Sequence, residues 1–347
     1  MKIVSVAVDR YRSDAKAAAP GYGGEILIVT VSTDDGPSGM GFATASSASA
    51  PILKALIETI IRPVIAGEDP MLTERLWWRM HEAIPRRGGE GLMRLATAAV
   101  DFALWDIKGK AAGVPVAALF GGRREKIPTY ANCAHHLPAD KLAERAAKDV
   151  ANGHKALKIR GTRSFVTPAE ATERVRQVRA AIGPGIRLMV DVNGSWDVDT
   201  AVQQLKAWEP YDVYWLEEPV PPHDIAGYRR VRERAGGTYI VGGEQHVGLG
   251  EFERLIGMEA VDIVQPNAAI TGGITDWLRI HAFATANGIP VSPWNLQAVH
   301  LHMAAGLPNV QWIEYFMPDG VFLLPPDAPG LGLEIDPAIA EATRVRN

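Results

Sequence analysis

The sequence predicts an α/β fold: a (β/α)8-type barrel, with a last unit that can be degenerate, preceded by an α+β domain. Three observations predict it. Three apolar runs, Arg187 to Val190, Val213 to Leu216 and Tyr239 to Gly243, each end in an acid: Asp191, Glu217 and Glu244. These acids are 26 and 27 residues apart, about one strand-helix-strand crossover each. Around them, from Ile127 onward, short apolar runs alternate with amphipathic helical patterns, whereas the first part of the chain runs through strands and then helices.

Taken in order, residues 2–10 alternate as a strand. Residues 20–24 form a small-residue loop containing Tyr22. A second strand runs from Glu25 to Ser32, a turn at Asp34 to Pro37 reverses it, and a third strand spans Gly39 to Thr44. Helical patterns follow near 50–66, 70–83 and 91–112, the last with bulky apolar residues three and four apart and a stop at Gly113. Trp77 and Trp78 on the second of them read as packing within this domain.

Eight strand patterns then lie near 127–131, 155–160, 187–191, 213–217, 239–243, 261–265, 289–292 and 310–314, with helical patterns between them. About eight such units make a barrel whose chemistry sits at the C-terminal ends of its strands. The expected division is an α+β domain over 1–124, the barrel over 125–317, and a Pro- and Gly-rich tail over 318–347 that packs back on the first domain.

Composition narrows the function. The chain has 347 residues and a formal net charge of −4, which argues against a general nucleic-acid binder. Cys133 is the only cysteine, so neither an intrachain disulfide nor a cysteine metal cluster can form, in keeping with a cytoplasmic protein. The opening residues read as a strand and not as a signal peptide, and no apolar run reaches transmembrane length. Three carboxylates converging on one barrel mouth need compensation, and a divalent cation is the simplest. All-oxygen ligation favours a hard ion, Mg2+, on Asp191, Glu217 and Glu244.

Several motifs, in order, carry a resemblance: the Val100 to Asp106 helix, Lys158–Ile159–Arg160, Asp191–Val192–Asn193, Glu217–Glu218–Pro219, Gly243–Glu244, Gln265–Pro266–Asn267, the Gly272–Gly273 turn, and Trp312–Ile313–Glu314. Over its whole length the chain resembles the enolase superfamily, in its mandelate racemase and muconate lactonizing enzyme branch. The resemblance implies that the first domain caps the barrel, and that Mg2+ on the three acids binds a substrate carboxylate. A base then removes the proton α to it, and the metal stabilises the enediolate. It also implies a homo-oligomer, from dimer to octamer, with a small-molecule carboxylate as partner and neither nucleic acid nor membrane.

The chain departs from the family at its bases. The second lysine of the usual Lys-x-Lys pair is Arg160, which stays protonated at ordinary pH and suits an electrostatic clamp. Lys158 remains, either as a proton carrier or as a charge partner of the carboxylates. On the opposite wall Asn267 stands at the usual aspartate and Trp294 at the usual histidine, and neither can serve as a base. His246, two residues past Glu244, and His135 or His136, after the first barrel strand, are the other candidates for the mouth, with Tyr22 and Arg86–Arg87 entering from the first domain. Glu314 is expected either to hydrogen-bond a substrate carboxylate in protonated form or to pair with Arg160. Asn193 is expected to touch substrate or a metal-bound water, and Glu218 to orient donors behind the ligands. His300 and His302 read as structural.

A mouth with one working wall is incompatible with two-base racemisation. The leading expectation is a Mg2+-dependent lyase that dehydrates an acid sugar (an aldonate or aldarate) to the 2-keto-3-deoxy acid. The alternatives are a cycloisomerase or epimerase of a sugar acid or lactone, and a carboxylate-binding protein without turnover.

Overall fold

The computed structural model describes residues 1–13, 24–84, 86–122, 126–133, 137–161, 166–315, 322–323 and 327–345. Tyr22, His135 and His136 lie outside them, and so do the side chains of Arg86 and Arg87.

Strands β1 (Ile3–Arg12), β2 (Glu25–Thr33) and β3 (Gly39–Ala45) form an antiparallel meander in the order β1-β2-β3. The alternation of β2 buries Leu27, Val29 and Val31 on one face. Against them pack Leu53, Ile57 and Ile61 of a helical run through residues 50–65, and Val100 and Leu104 of the helix Leu92–Ala112. Each such fully buried aliphatic side chain contributes about 1.5–3 kcal/mol. Gly41 lets β3 and that long helix touch, since a Cβ there would stand 1.9 Å from the Ala99 carbonyl oxygen.

The second domain is a parallel ring. Its strands are β4 (Ile127–Asn132), β5 (Ala156–Arg160), β6 (Arg187–Asp191), β7 (Val213–Glu217), β8 (Tyr239–Gly242), β9 (Ile263–Val264) and β10 (Ile313–Tyr315), hydrogen-bonded in the order β10-β4-β5-β6-β7-β8-β9. Single bridges from Val264 to Val291 and from Val291 to Val310 complete the circuit. All eight expected strand positions are therefore occupied, but the seventh is one residue long. Pro290 and Pro293, on either side of Val291–Ser292, have no N–H to donate, so pairing here runs through the Val291 and Ser292 N–H groups and the Pro290 and Val291 carbonyl oxygens. The degenerate strand is thus the seventh, and among the described residues the helix that follows β10, Pro337–Thr343, packs on β1 of the first domain.

Strand alternation builds the inside of the ring in layers. Tyr130, Ala156, Met189, Trp215, Val241 and Ile263 form an inner apolar cluster, while Leu157, Ile159, Leu188, Val190, Leu216, Ile240 and Val264 face the surrounding helices. One step toward the C-terminal ends, the inward positions turn polar: Lys158, Asp191, Glu217, Gln265, Ser292 and Glu314.

The long helix Leu92–Ala112 joins the two domains. Asp101, fully buried on it, accepts hydrogen bonds from the backbone N–H (3.0 Å) and the hydroxyl (2.6 Å) of Thr275, at the start of the barrel helix Ile274–Ala286. Gly273, with φ +107°, has room for no side chain, because a Cβ would meet Asp101 Oδ2 at 2.4 Å. Trp77 departs from the sequence expectation. Its indole N–H donates to the Gly272 carbonyl oxygen at 2.7 Å, so it packs between the domains and not within the first alone. The tail also returns to the first domain: Leu331 N–H donates to Asp106 Oδ1 at 2.8 Å, and Arg344 pairs with Asp9 at 2.6 Å.

Candidate metal centre and active site

Asp191 and Glu217 are the last residues of β6 and β7, paired in register across the ladder, and Glu244 follows β8. Each of the three offers an oxygen within 4.8 Å of the others, and all are buried. Lys158 on β5 reaches into this group. Its Nζ lies 2.7 Å from Glu217 Oε1, 3.0 Å from Glu314 Oε1 and 3.8 Å from Asp191 Oδ2. Arg160, two residues on and 19% exposed, sets Nη2 3.3 Å from Asp191 Oδ2. Asn132 at the end of β4 donates to Glu314 Oε1 at 2.5 Å. Glu314 is thus tied to Lys158 and Asn132, and the ion pair of Arg160 is made with Asp191.

Behind the ligands lies a supporting layer. Asn193, in the left-handed region at φ 44°, donates its backbone N–H to Asp191 Oδ1 (2.9 Å) and its amide to Asp191 Oδ2 (3.3 Å) and Glu218 Oε2 (3.4 Å). Gln245 donates to both oxygens of Glu218, at 3.0 and 2.8 Å. Asn193 therefore holds Asp191 in place, and Glu218 collects the donors that fix Asn193 and Gln245.

The electrostatics follow from crowding. Asp191, Glu217, Glu218, Glu244 and Glu314 are buried around Lys158 and Arg160. Burial pushes the Glu217 carboxyl up to about 7, with Lys158 opposing and Asp191 and Glu314 adding to the rise. Burial likewise lifts Glu218 to about 7, and it drives Glu244 well above the carboxylate range with the help of Glu218 and Asp191. For Lys158, burial pulls the pKa down, but Glu217 and Glu314 outweigh it and hold the ammonium well above its ordinary range. Glu217 Oε2 and Glu244 Oε2 are buried and accept no hydrogen bond from the described residues. Two unsatisfied carboxylate oxygens in an all-oxygen donor set with excess negative charge fit a hard divalent cation.

The opposite wall differs. Asn267 Oδ1 accepts from Ala269 N–H at 2.8 Å and so caps the short helix Ala268–Thr271. Asn267 and Trp294 line a cavity of about 560 Å3 between the domains, with Phe42, Leu95, Ile270 and Gln297. Gln297 also donates to the Glu314 carbonyl oxygen at 2.6 Å, which places the cavity beside the carboxylate cluster. His246 is buried away from that cluster. Its ring packs edge-on to Tyr228 at 6.5 Å and against Phe252 at 6.1 Å, and burial lowers its pKa. The chain turns after Gly243 (φ +130°), with His246 N–H bonded to the Gly243 carbonyl oxygen, so strand alternation does not carry His246 to the side of Glu244.

His300 is fully buried and accepts from Ala268 N–H at 3.1 Å through Nε2, while Nδ1 donates to the Asn295 carbonyl oxygen at 2.6 Å. It thereby joins the loops that carry Asn267 and Trp294. His302 similarly links Ala117 N–H (3.2 Å) to the Leu331 carbonyl oxygen (3.1 Å). Asn132, Gln245, Gln265 and Ser292 were not singled out by sequence reasoning as site residues. The period-2 alternation that placed Asp191 and Glu217 inward was the signal available for Gln265, two residues past Ile263.

Comparison with known proteins agrees with this geometry. A family model described as enolase C-terminal domain-like matches residues 141–339, and one described as mandelate racemase/muconate lactonizing enzyme, N-terminal domain, matches residues 19–121. The chain is 30% identical to a 3,6-anhydro-alpha-L-galactonate cycloisomerase of Streptomyces coelicolor, covering 90% of this chain and 89% of that protein. It is 32% identical to an L-talarate/galactarate dehydratase of Salmonella typhimurium, covering 84% and 73%. Among solved structures, that of L-talarate dehydratase from Polaromonas sp. JS666, complexed with Mg and L-glucarate, superposes with a TM-score of 0.90 at 30% identity, over 99% of this chain and 98% of that one. No helix among the described residues is long and apolar enough to cross a membrane.

Proposed function

The chain belongs to the mandelate racemase/muconate lactonizing enzyme family of the enolase superfamily, and we propose that within it the chain is a Mg2+-dependent lyase dehydrating an acid sugar to the 2-keto-3-deoxy acid. The observation that carries this reading is the asymmetry of the mouth. Lys158 and Arg160 stand on one wall against the carboxylates, while Asn267 and Trp294 on the other accept no proton. Moving hydrogen between the two faces of an α-carbon requires an acceptor on each. Dehydration with both departing groups on one face requires a single acceptor.

Asp191, Glu217 and Glu244 would hold Mg2+, whose positive charge would stabilise the anion formed when the α-hydrogen of the substrate carboxylate is removed. Arg160 clamps the anion from the side of Asp191. Lys158 Nζ is the proton carrier. It is an ammonium while the bare carboxylates surround it, and burial favours the neutral amine once their charge is taken up. As the amine it accepts the α-proton, and the C–H electron pair becomes the Cα–Cβ double bond. The β-C–O bond breaks, and the hydroxyl leaves with the Lys158 proton as water. The resulting enol tautomerises to the ketone. Asn132 and Glu314 keep Nζ at this place in the ring.

The experiment is incubation with Mg2+ in D2O against aldonic and aldaric acids, their lactones and anhydro acids, with mass spectrometry for α-deuterium and loss of water and a carbonyl reagent for keto acid. A keto product formed with loss of water, and absent in Glu217→Gln, supports the lyase. A keto acid formed from a lactone or anhydro acid without loss of water points to the second reading, a cycloisomerase, which the 30% identical relative of that activity favours. In that reaction the same proton removal expels a ring oxygen in place of a hydroxyl. Neither product nor exchange with any acid defeats both readings and leaves a carboxylate binder.

A further inference from the structure

We infer that Gln265 and Ser292 form a hydrogen-bonding subsite for one hydroxyl group of the substrate, on the wall facing Lys158 and Arg160. The inference rests on the reading of the mouth as an acid-sugar site.

The two residues are neighbours by register. Val264 bridges Val291, and the ladder continues through Gln265 N–H to the Gly242 carbonyl oxygen and Ser292 N–H to the Val264 carbonyl oxygen, each at 2.9 Å. Val264 and Val291 face the outer helices, and Ile263 faces the barrel interior. Alternation therefore turns Gln265 and Ser292 inward, into the polar layer of Lys158, Asp191, Glu217 and Glu314. Both are 0% exposed, like Glu217 and Glu314 themselves.

The rest of this layer differs from them in one respect. Lys158 ties Glu217, Asp191 and Glu314 together, whereas Gln265 Oε1, Gln265 Nε2 and Ser292 Oγ meet no hydrogen-bond partner among the described residues. Folded proteins leave few buried polar side chains in that condition, and adjacent ones with all their donors and acceptors free are a receptor for something else. The chemistry of the pair says what. An amide and a hydroxyl together offer donors and acceptors, so their complement is a group that both donates and accepts. A second carboxylate would only accept, and it would lie uncompensated among the buried acids already present. An alcohol of the substrate meets the requirement. It also supplies the discrimination that the neutral wall of Asn267 and Trp294 cannot supply by charge.

A site whose buried polar groups are satisfied by a ligand hydroxyl rejects the analogue that lacks it by as much as about 10^4–10^5. The test uses full-length protein with Mg2+ and, as probes, galactonate, gluconate and galactarate with their monodeoxy analogues. Affinity is read by calorimetry, and KM and kcat where turnover occurs. For the best-bound acid, one monodeoxy analogue is expected to bind at least ~100-fold more weakly to the unaltered protein. In Ser292→Ala and in Gln265→Met the parent acid loses that advantage while the analogue keeps its own affinity, so the ratio collapses. The Mg2+-dependent rise in Tm is retained in both variants, because neither holds the metal. If Gln265→Met fails to fold, Ser292→Ala decides alone.

An unchanged ratio in the variants would mean that the pair holds a resident water only; the subsite would be refuted while the lyase reading stood. If no acid binds the unaltered protein although Mg2+ still raises its Tm, the acid-sugar reading fails and the subsite with it.

Discussion

Lys158 Nζ and Glu217 Oε1 share a 2.7 Å hydrogen bond at the base of the mouth, with 1% and 0% of their side chains exposed. The bond joins the proposed proton carrier to a proposed metal ligand. Removing either partner leaves the other charge buried. Lys158→Met is therefore expected to destabilise the metal-free protein by about 3–5 kcal/mol and to abolish both α-deuterium exchange and keto-acid formation. Urea unfolding with and without Mg2+ measures the first effect, and mass spectrometry the second. A variant that still exchanges the α-proton would remove Lys158 from the reaction.

Mg2+ binding is expected to strengthen with pH up to about 7. Glu217 and Glu218 have folded pKa values of about 7, above the 4.5 of an unperturbed glutamate. A carboxyl raised in this way contributes stability that is complete below pH 4.5 and is lost as the pH rises through 7. In chelator the Tm should therefore fall from pH 5 to 7.5. Added Mg2+ should restore it by a margin that widens over the same range, about 2.7 kcal/mol at a hundred times Kd. Glu217→Gln should flatten both trends. Calorimetry in buffers of different ionisation heat should detect proton release on metal binding.

The Asp101–Thr275 contact is expected to carry its own pH dependence. Burial raises Asp101 from 3.8 to about 7, against the hydrogen bonds from Thr275. Its contribution is greatest below pH 3.8 and declines until pH 7, by a total on the order of 4 kcal/mol. Asp101→Asn does not titrate, so its stability relative to the parent protein should improve steadily between pH 4 and 7 in denaturant titrations. Gly273→Ala, which forces a Cβ against Asp101 Oδ2 at φ +107°, should lose stability at every pH.

His300 gives a dependence of the opposite sign. Burial depresses it from 6.5 to about 4, so its contribution is complete above pH 6.5 and is lost as the pH falls through 4. His300→Phe orphans Ala268 N–H and the Asn295 carbonyl oxygen. It should cost about 1–3 kcal/mol for each buried group left unpaired, and it should remove this part of the acid sensitivity. Because those groups belong to the loops of Asn267 and Trp294, KM should rise more than kcat falls.

Much of the fold was legible because periodicity determines it. Asp191 and Glu217 sit on consecutive parallel strands in one register, and a strand-helix-strand spacing was enough to place them together. The length of the seventh strand was not legible in the same way. Its apolar pattern at Ile289 to Ser292 resembles the others, but Pro290 and Pro293 have no N–H, which leaves Val291 and Ser292 as the ladder donors of this stretch. His246 shows the limit at the site. Its distance along the chain from Glu244 was plain, but the turn after Gly243 decides which way its ring points. The partners of Glu314 also escaped, since the choice between Lys158 and Arg160 depends on how the layers stack inside the ring, a relationship between strands distant in sequence.

Helix Leu92–Ala112 has a consequence for how such proteins can be recombined. One side of it receives Gly41 of β3 and, through Asp106 Oδ2, the Met40 N–H at 2.8 Å; the other side holds Thr275 of the barrel through Asp101. The seam between the domains therefore does not run through a linker. It runs along the length of one helix, which belongs to both cores. A graft that exchanges the first domain between relatives at the domain boundary would carry this helix into a foreign Gly273–Thr275 turn. Successful chimeras should be those that transplant the helix and that turn as one cassette, leaving the rest of the barrel to accept whatever meander comes with it.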